Sequence, residues 1–558
     1  MTARRIPPAD LAWTVLLTFV VLGPLLVGRG FWLFGDMVFV PEQPWKDTWL
    51  GLDGTLPRAV PMDAVVSVLT QVLPGEVVQR LLLVAAFVAG GLGAGRLVAD
   101  HRVPARLAAI SLMLWNPWVH ERLLMGQWAI LAGYLLLPWV AVAATRLRDD
   151  VRCGAPAAAV ALVLSAVCSP SSGVMAAFVA VVLAARREVR QLAVLAGLVV
   201  AANLCWLVPS LLADARTDAS REVFEAFAAR GESGLGALPS LLSLGGTWKT
   251  SIVADERTYV VVVLLSCALT AVALLGLRGR ADPRLAAVAA VSLLLAALPT
   301  LPGGVRLLAA LGDAAPALAF LRDSHRFLAP AVLLLLPGIA GAVTGALDRV
   351  RPGREAMAAV AGLLVVAPVL LLPSLAWGEL GGLEPASYPG DWRDVADRIR
   401  GEDPARTVVL PWAGSYRGFD WNDDRAVLDP APRFLPGEVL VDDRVVVAGT
   451  TIRAEDPVAE EVTGALTADD PAAALRGRGV RWVLVEKGMP SGPVPQGEVA
   501  VDGDELTLVD LGAPDEPARR TAGDIRPLLV GIGHVVSAAT LLAGLVLLRC
   551  PHRRGSVG

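Results

Sequence analysis

The sequence predicts an all-α membrane domain of about twelve transmembrane helices carrying one mixed α/β domain outside the cytoplasm. Three observations predict it. The 558 residues are 55% hydrophobic and only 18% charged, with a positive mean hydropathy, against about 25% charged in soluble domains. Twelve apolar runs approach the ~20 residues that a hydrocarbon core requires. Every second turn between them carries an arginine cluster.

The runs cover roughly 10–28, 78–98, 105–118, 128–145, 155–170, 173–185, 191–212, 258–277, 284–300, 327–347, 356–373 and 526–548. The first follows Arg4 and Arg5 and resembles a signal peptide. No small-x-small cleavage site precedes Phe31-Trp32, so it reads as a retained helix. With the N-terminus cytoplasmic, the inner turns hold Arg96, Arg102 and Arg106; Arg146, Arg148 and Arg152; Arg186, Arg187 and Arg190; Arg278, Arg280 and Arg284; and Arg349, Arg351 and Arg354. The tail adds Arg549, Arg553 and Arg554. This is the positive-inside pattern, and it puts both termini in the cytoplasm. The other face receives 29–77, 119–127, 213–257, 301–326 and 374–525. Polar stretches concentrated on one face argue for a surface site rather than a conduit.

Residues 1–373 therefore form the polytopic domain, 374–525 the extracytoplasmic α/β domain, and 526–558 a last helix with a cytoplasmic tail. Within 374–525, strands are expected at 406–411, 438–448 and 480–486, and a hairpin with an Asp-Gly turn at 497–511. Helices are expected at 391–400, 456–466 and 471–477.

Composition excludes several classes. A net charge of −4 and only three lysines, Lys46, Lys249 and Lys487, give no nucleic-acid partner. Cys153, Cys168, Cys205, Cys267 and Cys550 match no metal spacing and read as buried structural thiols. The run GGLGAGR at 90–96 lies inside an apolar span, so Gly91 and Gly95 read as small-xxx-small helix packing rather than a dinucleotide loop. No P-loop or zinc signature occurs. His534, alone in the last span, reads as a packed polar residue.

Four stretches carry candidate chemistry. In FWLFGDMVFVPEQPWKD, Asp36 stands just past the first span, followed by Glu42, Lys46 and Asp47. A carboxylate at the membrane surface can serve as a general base for a hydroxyl arriving from water. The alternative is a solvated loop with Trp32, Trp45 and Trp49 as interfacial anchors. In WNPWVHERLLMGQWAILAGYLLLPW, Asn116-Pro117 ends a helix, and His120, Glu121, Arg122 and Gln127 cluster at a hairpin mouth. Ionisable groups so near a membrane are costly and often functional; the alternative is a capped, solvated turn. In FLRDSHRF, Arg322, His325 and Arg326 form a cationic cluster on the face that the positive-inside bias depletes. Arginine clamps phosphate in bidentate fashion; the alternative is local pairing with Asp323. In LPWAGSYRGFDWNDDR, Trp412, Tyr416 and Trp421 are a candidate sugar platform, or else a half-exposed packing cluster.

The stretch NPWVHERLLMGQWAILAGYLLLPW resembles the corresponding stretch of actinobacterial membrane arabinofuranosyltransferases, and GDMVFVPEQPW and FLRDSHRF resemble the same polytopic group, which also touches YfhO-like membrane proteins. These are similar to GT-C fold glycosyltransferases. The resemblance implies a GT-C-like membrane enzyme using a polyprenyl-phosphate-linked sugar on the outer face, with an acidic residue of the first outer loop as catalytic base. By position that residue is Asp36. The expected function is transfer of the sugar to a cell-envelope glycan or glycolipid acceptor, with inversion. Arg322, His325 and Arg326 would bind the donor phosphate. Glu121, Arg122, Gln127 and Trp128 would line the substrate site, with Glu121 a candidate to hold a divalent cation (Mg or Mn) or to orient the donor. The competing reading is a non-catalytic envelope-assembly scaffold or a lipid or glycan translocation factor. Helices almost free of charge at mid-span count against an ion-coupled transporter.

Overall fold

The computed structural model describes residues 6–214, 218–278, 281–314, 316–349, 354–447, 449–515 and 524–549. Arg4, Arg5, Arg280, Arg351, Cys550, Arg553 and Arg554 lie outside them. Each of the twelve apolar runs coincides with helical chain. Among the described residues, eight helices are long and apolar enough to cross a membrane: Pro8–Val27, Gly75–Leu97, Trp128–Asp149, Val151–Cys168, Val189–Leu211, Pro283–Thr300, Leu318–Asp348 and Arg526–Arg549. Pro170–Ala184, Val260–Gly276 and Ala356–Leu371 are apolar but shorter, and Val103–Leu114 has 12 residues. The chain is a multi-pass membrane protein, and eight of its described helices have the length and composition to cross a membrane unaided.

Local chemistry explains where these helices stop. Val103–Leu114 ends because Asn116 begins a new helix, Pro117–Leu124: its side-chain oxygen accepts from the Val119 amide at 3.1 Å, and Pro117 takes the first helical position. The Asn116 amide donates back to Leu112 O and to the Tyr134 hydroxyl, at 2.8 and 2.9 Å. Gly91 and Gly95 face the helix Pro8–Val27, where an added Cβ would stand 2.5 Å from Thr14 and 3.0 Å from Asp10, as the packing reading expects. His534 hydrogen-bonds the Leu50 carbonyl at 2.9 Å. Cys168 and Cys205 are buried, but Cys153 is exposed at a helix start, which corrects the expectation for that thiol.

The loops sort into two ends. At one, the arginine-rich turns pair with acids: Arg106 with Asp10, Arg102 with Asp348, and Arg148 with Asp282, at 2.9, 3.2 and 3.4 Å. At the other, stretches from 29–77, 213–257 and 316–331 meet the sheet domain. Phe31 bridges Ala386, and Gly35 bridges Val427. Lys46 donates to Pro432 O at 2.6 Å, and Arg433 pairs with Asp63 at 3.0 Å.

Among the described residues the sheet domain has nine short strands: β1 Arg406–Leu410, β2 Tyr416–Arg417, β3 Val427–Leu428, β4 Val439–Leu440, β5 Val445–Val447, β6 Thr450–Ile452, β7 Val480–Glu486, β8 Glu498–Asp502 and β9 Leu506–Asp510. Five form one sheet in the order β4-β1-β7-β9-β8. β4, β1 and β7 run parallel and the β8–β9 hairpin is antiparallel. β1 and β7 are covered on both faces, as parallel strands require. One face meets helices Pro457–Leu466 and Pro471–Arg476 through Val462 and Leu475. The other meets Trp392 and an aromatic group continuous with the bundle core. The expected strand 438–448 is instead two pieces. Asp442 and Asp443 interrupt it by accepting backbone N–H groups of Gly414, Arg444, Glu455 and Asp456, a local competition with sheet pairing.

A buried ionic cluster fixes the β2 turn. Arg417 Nε donates to Glu486 Oε2 at 2.5 Å, and its Nη2 lies 3.1 Å from Asp429 Oδ2. Burial pushes the Glu486 carboxyl well above the usual carboxylate range, and Asp429 pushes it further. Burial also raises Asp429. Two buried carboxylates facing one guanidinium retain a proton between them. Because the folded values lie above the unfolded ones, the folded state binds more protons than the unfolded. The stabilisation is full below the unfolded carboxylate pKa and is lost as pH rises through the raised folded values. Glu486→Gln, permanently neutral, is therefore expected to gain melting temperature over the parent as pH rises from 5 to 8.5. The gain is about 2–4 °C, the response of a domain this size to roughly 1 kcal/mol. A pH-independent difference in thermal scans contradicts the shared proton.

Candidate active site

The first loop and the hairpin mouth interlock backbone to backbone. Gly35 and Gly126 both have positive φ, +54° and +73°. A Cβ on Gly126 would lie 2.2 Å from Met37 N, and one on Gly35 would lie 2.2 Å from Met125 O. The contact closes with Asp36 N donating to Met125 O at 2.8 Å. On its other side Gly35 joins the sheet domain, accepting from Leu428 N and donating to Ala426 O, both at 2.8 Å. Every residue from 30 to 40 is buried except Asp36, which is partly exposed.

The Asp36 carboxylate is held from two directions. Tyr416 of β2 donates its hydroxyl to Oδ1 at 2.5 Å. Gln127 Nε2 donates to Oδ2 at 3.2 Å. Gln127 is itself fixed, because its Oε1 accepts from Arg122 Nη1 at 2.7 Å. Arg122 has no exposed surface; it lies 3.5 Å from Asp323 and stacks its guanidinium on Trp118 at 5.4 Å. Arg326 closes the chain on Asp323 Oδ2 at 2.7 Å. A polar relay thus runs Arg326, Asp323, Arg122, Gln127, Asp36, Tyr416.

Cations lie near the Asp36–Tyr416 pair. Arg58 and Arg326 act electrostatically on Tyr416, and Asp36 acts on Lys249. Arg322 feels both Arg58 and Arg326. Arg322 and Arg326 are partly exposed while Asp323, Ser324 and His325 between them are buried. The backbone break at Asp323, φ −92° and ψ 65°, interrupts the helical turn there.

Several sequence expectations change here. His325 is fully buried, with Arg122 Nη2 at 2.5 Å from Nδ1 and Gly245 O at 3.1 Å from Nε2. A guanidinium only donates, so Nδ1 accepts and Nε2–H is spent on the carbonyl. No ring nitrogen remains for a phosphate, which removes His325 from the clamp. Glu121 is also buried, accepting from Thr247 N at 3.3 Å and lying 3.5 Å from His325 Nε2. Burial, reinforced by Glu232, raises its carboxyl well above the usual range. No group of three His, Cys, Asp or Glu side chains able to hold a metal occurs among the described residues. Glu121 thus stands, among the described residues, without the companion ligands that a divalent-ion site needs. Trp128 packs on Phe39 at 4.9 Å in the core.

The sugar platform does not assemble. Trp412 donates to Thr463 Oγ1 at 2.9 Å and packs on the helix beneath it. Trp421 stacks on Phe419 at 4.9 Å within an aromatic group with Tyr388 and Trp392. Of the three, only Tyr416 reaches Asp36. Arg58 and Lys249 escaped the sequence reading. The signal was available for Arg58, an arginine on the face depleted of them, by the same logic that singled out FLRDSHRF.

Fold and site together define a multi-pass membrane protein in which loops of a helical bundle and a strand of the sheet domain meet at one partly exposed carboxylate. No protein-family model matches the sequence, and no curated relative matches it. Among solved structures, the chain is similar to the cryo-EM structure of arabinofuranosyltransferase AftD from Mycobacteria, at 18% identity and a TM-score of 0.56, covering 91% of this chain and 40% of that one. A mutant of AftD from Mycobacteria matches at 19% identity and a TM-score of 0.55, covering 91% and 41%. The chain thus spans about two fifths of those proteins. The likeness establishes the fold, which is of GT-C type.

Proposed function

We propose that the chain is an inverting membrane glycosyltransferase that moves a sugar from a polyprenyl-phosphate donor to a cell-envelope glycan or glycolipid acceptor on the outer face of the membrane. The observation that carries this reading is Asp36: partly exposed in a buried loop, oriented by Tyr416 and Gln127, with Lys249 in electrostatic reach of it and Arg58 and Arg326 in electrostatic reach of Tyr416. The two hydrogen bonds leave lone pairs on Asp36 for an acceptor hydroxyl. The acceptor oxygen bonds to the anomeric carbon as the bond from that carbon to the phosphate oxygen breaks. The hydroxyl proton passes to Asp36, and the departing polyprenyl phosphate keeps the bonding pair. Fixed cations meet its growing charge, so no general acid is required. The arginine-rich turns at the end opposite the site support cytoplasmic termini and an outer-facing 374–525. The AftD fold makes a polyprenyl-phosphate arabinofuranose the first donor to try.

The test uses the purified full-length chain in liposomes, with labelled polyprenyl-phosphate arabinofuranose, then other polyprenyl-phosphate sugars, and envelope-glycan oligosaccharides as acceptors. The expected result is labelled acceptor of opposite anomeric configuration. Movement of the lipid across the bilayer with no transfer from any donor overturns this reading in favour of a translocation factor.

A further inference from the structure

Glu455 of the sheet domain, three residues past β6, reaches back to two arginines of the membrane domain's outer loops. One carboxylate oxygen accepts from Arg58 of the first loop and the other from Arg322. The Glu455 side chain is 3% exposed, whereas Arg58 is 51% and Arg322 21% exposed. The seat is built on both sides. The Arg322 guanidinium rests on Phe227 at 5.7 Å, and Asp443 pins the Glu455 segment by accepting from the amides of Glu455 and Asp456, at 2.9 and 3.0 Å.

We infer that the seat between Arg58 and Arg322 is the binding site for the phosphate of a lipid phosphate, and that Glu455 is an internal stand-in which that phosphate displaces. The inference rests on the proposed function and adds to it a site and a competitor. Two guanidinium forks with one carboxylate between them leave a net positive charge, and such forks suit phosphate as well as carboxylate. A polyprenyl-phosphate sugar is a phosphodiester with one negative charge, no more than Glu455 carries. When its sugar leaves, the phosphate becomes a monoester with close to two. The exchange therefore becomes more favourable as the bond breaks, and Glu455 discriminates against the ground state relative to the transition state. While Glu455 occupies the seat, the apparent affinity for a phosphate is reduced by the fraction of molecules in which the seat is open.

The experiment measures binding of farnesyl phosphate to the detergent-solubilised full-length chain by titration calorimetry, with farnesol as the control without phosphate. Glu455→Gln keeps the shape and removes the competing charge. It is expected to bind farnesyl phosphate about tenfold more tightly than the parent, as for a seat open in roughly one molecule in ten, with farnesol unchanged. Arg58→Ala and Arg322→Ala are expected to bind more weakly than the parent. Equal or weaker binding by Glu455→Gln, with the parent's melting temperature, makes Glu455 a fixed tie and overturns the inference. If Glu455→Gln does not fold, Glu455→Asp, which keeps the charge but shortens the side chain so that it no longer spans both arginines, replaces it. Severalfold tighter binding is expected there, and equal or weaker binding overturns the inference in the same way. Because the readout is binding, the two readings fail separately. A Glu455-dependent seat in a chain that transfers no sugar leaves the inference standing without the enzyme, and transfer with no effect of Glu455 does the reverse.

Discussion

Asp36→Asn is expected to lower sugar transfer by about 10²–10⁴-fold, the usual contribution of a positioned general base, while binding of farnesyl phosphate persists. The size follows from the site's economy of parts: the departing phosphate needs no proton, so the hydroxyl proton is the one the protein must take. The surroundings sharpen the result. Tyr416 and Gln127 both donate to Asp36, and Gln127 is held in that orientation by Arg122. An asparagine amide must therefore turn its own donor toward Gln127 Nε2 or toward the Tyr416 hydroxyl. Tyr416 rotates more readily, so Asp36→Asn is expected to loosen the β2 contact as well. Thermal stability is measured beside transfer for this reason, and Tyr416→Phe separates the effects by losing the contact while keeping the base. Glu42→Gln, an exposed neighbour in the same loop, is the control. Near-parent transfer by Asp36→Asn at matched expression removes the base from the scheme.

What the sequence disclosed follows from how each property is encoded. Helical runs, their order and the alternation of arginine turns are local or periodic, and each run lies on a helix. Asp36 was legible because a carboxylate just past an apolar span is visible in one dimension. Its partner Tyr416 was legible only as an aromatic residue, since a contact between residues 380 apart leaves no periodicity. The FLRDSHRF loop is legible as a cationic cluster, but the burial of its histidine is not: Asp323, whose backbone break separates partly exposed Arg322 and Arg326 from buried His325, meets Arg122, some 200 residues earlier. The aromatic residues near 412–421 failed for a different reason. Stacking on a sugar and stacking on Phe419 make the same demand on composition, and only the fold decides between them.

Arg122 carries the largest expected effect on stability. Its guanidinium is fully buried among Gln127, Asp323, His325 and Trp118. Removing one partner of a buried pair strands the other, and costs about 3–5 kcal/mol. Arg122→Met is therefore expected to unfold at markedly lower temperature and to be cut faster by protease in the native state. Asp323 keeps Arg326, so the loss falls short of a wholly uncompensated charge and lies at the lower end of that range. Adding Asp323→Leu removes the stranded carboxylate. Arg326 is partly exposed and can be solvated, so the double variant should recover much of the lost stability. It should not recover transfer, because Gln127 then has no donor to hold its amide and Asp36 loses a fixed hydrogen bond. Stability and activity part company only if Arg122 acts on Asp36 through Gln127. Should the double variant regain both, the relay is scaffolding and Asp36 is oriented by Tyr416 alone; should Arg122→Met melt within a degree of the parent, the buried ionic network does not hold the bundle's loops together.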